Sequence, residues 1–290
     1  MVSNKKVLVL GSTGRLGRLI KNKYENLENF DVIGVSRRLL NNYFYCKATN
    51  YEDLREFLII QDPDLIINCA AMTNVDRCEL EIEKAYKVNQ KIPENIYNII
   101  IKHNLKSKVV QISTDQVYKS KNFTDLGEEE PINIYGKTKL DGDKLISKIP
   151  NSLIFRTNFL WSVGKNNQIN WLIEKCSAEN RFYLFKDVIC NPVHIDYLAN
   201  FIIEKSLKDI NGIFNLGSSN DLSKAEIFKK IANKLNLDIT NAKEVSIDQI
   251  NMVAPRPKIM SMNINRTESL FNIKLPNMDE TLESLLIDYK

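Results

Sequence analysis

VLVLGSTGRLGRLI, residues 7–20, passes from a short apolar run into a segment of helical period through Gly11, Gly14 and Gly17. In that position each glycine has a physical use. The first permits a tight strand-to-helix turn, the second lets the backbone approach a pyrophosphate, and the third lets helix and strand pack closely. The helix N-terminus then turns its N–H groups toward the anion. Glycines that serve only the tight turn are the plainer reading, and the motif alone does not separate the two.

The alternation continues outward from this turn. Apolar runs at KKVLVLG (5–11), DVIGVS (31–36), DLIINCAA (64–71) and SKVVQIST (107–114) alternate with helical periods over Arg15–Leu27, Tyr51–Ile60 and Glu81–Asn104. Runs such as VLVL and LIIN are apolar on both faces, as parallel strands covered by helices on either side must be. Right-handed crossovers wind such a βαβ series into a doubly wound parallel sheet of the Rossmann type. A helix over Tyr135–Ser147 and a strand SLIFRT (152–157) extend it. Beyond residue 157 the pattern loosens into helices near Gln168–Ala178 and Asp196–Leu207, strand-like RFYLF and GIFNLGS, and a capping box of Ser223 and Glu226. The expectation is an α/β protein with a dinucleotide-binding domain over 1–157. A smaller α/β C-terminal substrate lobe over 158–290 would interleave with the last sheet strands.

Composition narrows the function classes. With 290 residues and 43% hydrophobic content, the chain can bury a large core. It has no apolar run of 18 residues and no signal-peptide pattern, so no membrane partner and a cytoplasmic location are expected. Its 40 basic and 36 acidic residues are spread along the chain, which argues against nucleic acid and leaves an anionic small molecule open. Five cysteines, an odd number without a C-x-x-C pair, read as reduced thiols. His103 and His194 lie far apart without ligand spacing, so no metal is expected.

Three further stretches carry chemistry. After the second apolar run the chain reads GVSRRLL, where an NAD site would offer an acidic residue to the ribose hydroxyls. Ser36, Arg37 and Arg38 suit a ribose 2′-phosphate instead, so NADPH is expected, with NADH left open and Arg38 alternatively a solvated loop charge. VVQISTDQVY places Ser113, Thr114 and Asp115 at the carboxyl end of a parallel strand, where open α/β sheets bind ligands. A threonine hydroxyl there can hydrogen-bond a substrate carbonyl, though a helix-cap turn needs the same residues. In INIYGKTKLDG, residues 132–142, Tyr135 and Lys139 share one helix face. The ammonium charge is expected to lower the phenol from its ordinary value of about 10, fitting it to give a proton to a carbonyl oxygen as hydride arrives on carbon. Tyrosine and lysine at this spacing also occur on solvated helices. The threonine 21 residues upstream and the glycine turn make the coincidence harder to dismiss.

Taken in order, GSTGRLG, PDLIINCAAMTNVDRCE, VNQ, QISTDQVY, EEEPINIYGKTKLDGDKLI and LIFRTNFLW resemble the dTDP-4-dehydrorhamnose reductase family of extended short-chain dehydrogenases. The resemblance implies reduction of the 4-keto group of a nucleotide-linked 6-deoxy-hexulose, in making deoxysugars for cell-surface polysaccharide. It implies Tyr135 as general acid, Lys139 on the nicotinamide ribose, and Thr114 on the keto oxygen with Asp115 beside it. It further implies Gly11, Ser12, Thr13, Gly14, Arg15 and Leu16 around the pyrophosphate, and Ala70, Ala71 and Thr73 along the cofactor cleft. Asn89 falls where relatives support the lysine, or is a helix residue without a chemical role. Trp161 could stack on a base or sugar or pack in the core, and Arg256 could pair with a nucleotide diphosphate.

The chain departs from the family where substrate is expected to be chosen. Val188, Cys190 and Val193 replace a glutamine, a glycine and a threonine, Ile259 and Met260 replace polar residues, and Lys47 stands near the family's adenine-contacting aspartate. Two other readings stay open. Regulatory subunits of methionine adenosyltransferase resemble the same family, so the fold can bind cofactor as a partner protein without turnover. An epimerase that returns the hydride is the other, and a homodimer is also left open.

Overall fold

The computed structural model describes residues 4–119, 126–160, 167–178 and 180–289; Trp161 lies outside them. The chain divides into two compact units. The first takes residues 1–117, 133–156 and 199–214, and the second takes 118–132, 157–198 and 215–290.

The elements follow in chain order as β1 (Lys5–Leu10), α1 (Arg15–Glu25), β2 (Phe30–Ser36), β3 (Phe44–Tyr45), α2 (Tyr51–Gln61), β4 (Leu65–Asn68), α3 (Val75–Leu80), α4 (Ile82–Asn89), α5 (Lys91–His103), β5 (Lys108–Thr114), α6 (Ile134–Ile146) and β6 (Ser152–Thr157). They continue as β7 (Phe159–Leu160), α7 (Gln168–Ser177), β8 (Phe182–Phe185), β9 (Ile189–Cys190), β10 (Val193–His194), α8 (Ile195–Ser206), β11 (Gly212–Leu216), β12 (Leu222–Ser223), α9 (Lys224–Lys234), β13 (Ala242–Val245), α10 (Asn265–Phe271) and α11 (Met278–Tyr289).

A seven-stranded parallel sheet in the order β11-β6-β5-β4-β1-β2-β3 forms the Rossmann-like frame. The order reverses between β1 and β4, which pair in parallel from Val7 opposite Leu65 to Leu10 opposite Asn68. Such a reversal opens a crevice at the carboxyl ends of the two strands. All four residues of β4 and the last four of β1 are buried, as strands covered on both faces require. Leu8, Leu10, Ile66 and Val109 share one core with Leu54 and Leu58 of α2 and Ile92, Ile96 and Ile99 of α5.

One expected element differs. The single helix read over Glu81–Asn104 is two pieces, α4 and α5, with a break at Gln90 (φ −108°, ψ −48°), and the separate helix α3 ends just before the span. Pro93 explains the break, because it has no N–H to offer the Asn89 carbonyl four residues earlier. The continuous apolar period hid the break.

The second unit is built from short pairs: β7 with β10 and β8 with β13 run parallel, and β9 with β12 runs antiparallel. Helix α9 begins with the expected capping box, Ser223 and Glu226 bonding reciprocally to each other's backbone. Leu172, Leu184, Ile231 and Leu285 anchor its apolar core. Val188, Cys190 and Met260 are buried in the same core, Val193 is buried too, and Ile259 bridges to Ile189. The side chains of Val188, Cys190 and Met260 thus pack the interior of the second unit. Among the described residues no helix is long and apolar enough to cross a membrane, and no group of three His, Cys, Asp or Glu could hold a metal ion.

Candidate active site

The glycine turn is built as its sequence required. Gly11 has φ +75°, a conformation that side chains rarely adopt, and a Cβ there would lie 2.7 Å from the Ala70 backbone nitrogen. The loops after β1 and β4 therefore touch across the switch point. Gly14 begins α1 without a side-chain cap, and the first turn of α1 carries no acidic residue. That leaves a backbone cradle of the right polarity for a pyrophosphate.

The flanking residues divide by exposure. Arg15, Arg37 and Arg38 are exposed and Thr13 is half-buried, so their side chains can reach a ligand. Ser12 and Leu16 are buried, and the Ser12 hydroxyl donates to the Val35 carbonyl at 2.9 Å, which ties the turn to β2. Ser36 is buried as well, its hydroxyl accepting from the Arg38 backbone N–H at 3.0 Å. Ser36 thus shapes the turn that displays the two arginines. A nicotinamide dinucleotide bearing a 2′-phosphate fits this set, since the exposed end of β2 presents two guanidinium groups and no carboxylate.

Ala70 and Ala71 are half-buried and Thr73 is exposed on the loop after β4. Asn89 clamps this loop. Its carbonyl oxygen accepts from Met72 N–H at 2.7 Å, and its amide donates to the Met72 carbonyl and to Thr138 Oγ1, each at 3.1 Å. Neither earlier reading of Asn89 anticipated this, because the partners are 17 and 49 residues away.

The strand end and the helix meet as the spacing implied. Asn133 caps α6 by accepting from Gly136 N–H at 2.8 Å, while its amide donates to Gln116 Oε1 at 3.0 Å. That double role fixes the start of α6 against the turn after β5. Thr114 Oγ1 donates to Asp115 Oδ1 at 2.9 Å and accepts from Gln116 N–H at 3.2 Å, and Thr114 lies near enough to the Tyr135 phenol to act on it. Lys139 is 2% exposed and donates to the Ile112 carbonyl at 2.6 Å. Thr114, Asp115, Tyr135 and Lys139 therefore gather at the carboxyl end of β5 within the first unit.

The electrostatics depart from expectation. The Tyr135 phenol is held above its ordinary value, where a lowered one was expected. Burial is the main cause, Thr114 opposes it, and Asp115, Cys78 and Asp143 add to it. Burial likewise pulls the Lys139 ammonium below its ordinary value, against Asp143 and Cys69. The Cys69 thiol is pushed up to about 12 by burial, against Lys139. None of the five cysteines, all among the described residues, forms a disulfide. Arg256 is half-buried in the second unit, where its guanidinium donates to the Ala254 carbonyl at 3.3 Å.

Comparison with known proteins agrees with this geometry. The chain is 25% identical over 297 residues to dTDP-4-dehydrorhamnose reductase of Aggregatibacter actinomycetemcomitans, covering 97% of this chain and 98% of that one. It is 24% identical to methionine adenosyltransferase 2 subunit beta of Danio rerio, over 92% of this chain and 85% of that one. The crystal structure of dTDP-4-dehydrorhamnose reductase from Bacillus anthracis in complex with NADP superposes with a TM-score of 0.87 at 26% identity, covering 98% of this chain and 99% of that one. The family model described as the RmlD substrate binding domain matches residues 5–290, and the chain belongs to that family.

Proposed function

We propose that this protein is an NADPH-dependent reductase acting on the 4-keto group of a nucleotide-linked 6-deoxy-hexulose. The observation that carries the reading is the gathering of Thr114, Tyr135 and, one helical turn on, Lys139 at the carboxyl end of β5. Bound NADPH supplies the hydride that reduces the carbonyl carbon. Thr114, turning its hydroxyl from Asp115, and Tyr135 then hold the carbonyl oxygen between two hydroxyl donors, and Tyr135 gives its proton as the oxygen becomes an alcohol. A phenol held above its ordinary value is still protonated at neutral pH, which is the form an acid needs. Lys139 binds the ribose and stabilises the tyrosinate left behind, which solvent reprotonates. The backbone of Gly11–Leu16 cradles the pyrophosphate, and Arg37 and Arg38 take the 2′-phosphate. Ala70, Ala71 and Thr73 line the cofactor, while Arg256 and Trp161 serve the nucleotide sugar.

The test is loss of NADPH absorbance across a panel of 4-keto-6-deoxy nucleotide sugars, repeated with NADH. One sugar is expected to be reduced, faster with NADPH. Tyr135→Phe is expected to lower kcat by about 10²-fold or more, the usual worth of a positioned acid. Full activity in that variant would remove Tyr135 from the chemistry. The likeness to the methionine adenosyltransferase subunit supports a second reading, a cofactor-binding partner subunit. Tight NADPH binding without reduction of any sugar, together with a co-purifying methionine adenosyltransferase, would select it.

A further inference from the structure

Behind Lys139 lies a set of charged groups that the chemistry above does not use. Asp143 sits four residues along α6 from Lys139, on the same helix face. Asp143 and Arg156 are each 1% exposed, and Arg156 Nε donates to Asp143 Oδ2 at 3.1 Å. Ser113, the residue before Thr114 on β5, donates its hydroxyl to the same oxygen at 2.7 Å. Two basic side chains, Lys139 and Arg156, and one acid are thereby enclosed together on α6 and β6. A buried ion pair is weak support for stability, since well-packed apolar residues would join α6 to β6 as firmly. Its presence asks for another explanation.

A buried ammonium tends to lose its proton unless an anion opposes the loss. The groups acting on Lys139 are Asp143 from its own helix and Cys69 from the end of β4, with Arg156 of β6 bonded to Asp143 behind. Tyr135, on the same helix face, is itself acted on by Asp115, Cys78 and Asp143. Cys69, pushed up to about 12, is a neutral thiol at neutral pH. The anion acting on Lys139 is therefore Asp143, and Arg156 and Ser113 fix where it stands.

We propose that Asp143, locked in place by Arg156 and Ser113, is a positioning residue whose carboxylate keeps Lys139 a charged ammonium directed at the end of β5. This rests on the reading of Lys139 as the group that binds ribose and supports Tyr135. Burial also pushes the Asp143 carboxyl above its ordinary value, while Arg156, Lys139 and the Ser113 hydrogen bond pull it back toward the ionised form.

The experiment follows the Lys139 side chain by NMR of 13C-labelled lysine, assigned with Lys139→Met, in the full-length protein. Asp143→Asn is expected to lower the pKa of Lys139 by about one unit or more, because the opposing charge is gone. Asp143→Glu, which keeps the charge, is expected to restore most of the wild-type value. An Asp143→Asn protein that folds with Lys139 titrating as in wild type overturns the proposal. If that variant does not fold, Asp143→Asn/Arg156→Gln removes both buried charges, and the same downward shift is expected. An unshifted Lys139 in the double variant overturns it equally. The NMR titration needs no turnover, so a protein that reduces no sugar nucleotide would sink the proposed function and leave this test standing. With turnover, the alkaline limb of the kcat profile moves to lower pH in Asp143→Asn.

Discussion

Thr114 has one proton to donate, and it goes to Asp115 Oδ1 while the hydroxyl oxygen accepts from Gln116 N–H. An arriving keto oxygen takes the proton of the Tyr135 phenol, and Thr114 donates to it only by releasing Asp115. The same burial that keeps this phenol protonated has a consequence for stability. Its folded pKa lies above the unfolded value of about 10, so the native state holds a proton that the unfolded chain releases above that pH. Its contribution is therefore fully present below about pH 10 and is lost as pH rises through the folded value. Thermal melts of wild type and Tyr135→Phe are expected to differ by a constant amount from pH 7 to 9, and to shift in favour of Tyr135→Phe above pH 10. A difference that stays flat through pH 11 would show that the phenol is not held protonated by burial.

At the level of elements, Gly17 decides how close α1 stands to the turn. A Cβ at Gly17 would lie 2.4 Å from the Gly11 carbonyl oxygen and 2.9 Å from its carbon, both backbone atoms that cannot swing away. At Gly14 the nearest atom is that same oxygen, at 3.2 Å. Gly17→Ala is expected to destabilise the protein by about 1–3 kcal/mol and to weaken NADPH binding, whereas Gly14→Ala does less of either. Urea unfolding and cofactor fluorescence titration check both, and a Gly17→Ala protein with wild-type stability and affinity would refute the close approach. These elements were legible because their signals are local: three glycines after an apolar run, and Tyr135 four residues from Lys139. The partners of Asn89 and Asp143 were not. A buried aspartate within KLDGDKL reads as one more helix-face charge, and nothing in sequence ties it to Arg156 of the following strand. Two-residue strands such as β3 and β12 have no period to detect. The expected drop in the Tyr135 pKa failed for a related reason, since spacing reports the neighbouring charge and burial, the larger influence, comes from the whole fold.

For the molecule as a whole, the chain's path decides what can fold alone. The sequence reading puts a boundary after residue 157 with the later lobe interleaving with the last sheet strands, and the first unit takes residues 199–214. Those residues supply two-thirds of α8 and the start of β11, the sheet's outermost strand beside β6. Phe155 of β6 stands 5.7 Å from Phe201 edge-to-face and 6.3 Å from Phe214. The buried Tyr24 hydroxyl bonds Ser206 at 2.8 Å, and Lys108 donates to the carbonyls of Lys208 and Ile210. A fragment of residues 1–157 would expose Phe155 along an unpaired strand edge and strand Tyr24 and Lys108 without these partners. Losing the aromatic packing alone costs roughly 3–5 kcal/mol, a large share of a domain's net stability. The fragment is expected to show no cooperative thermal transition by circular dichroism and to self-associate through the open β6 edge. The full chain should unfold cooperatively under the same conditions. A fragment that melts cooperatively as a monomer would mean that residues 199–214 are dispensable to the first unit's core.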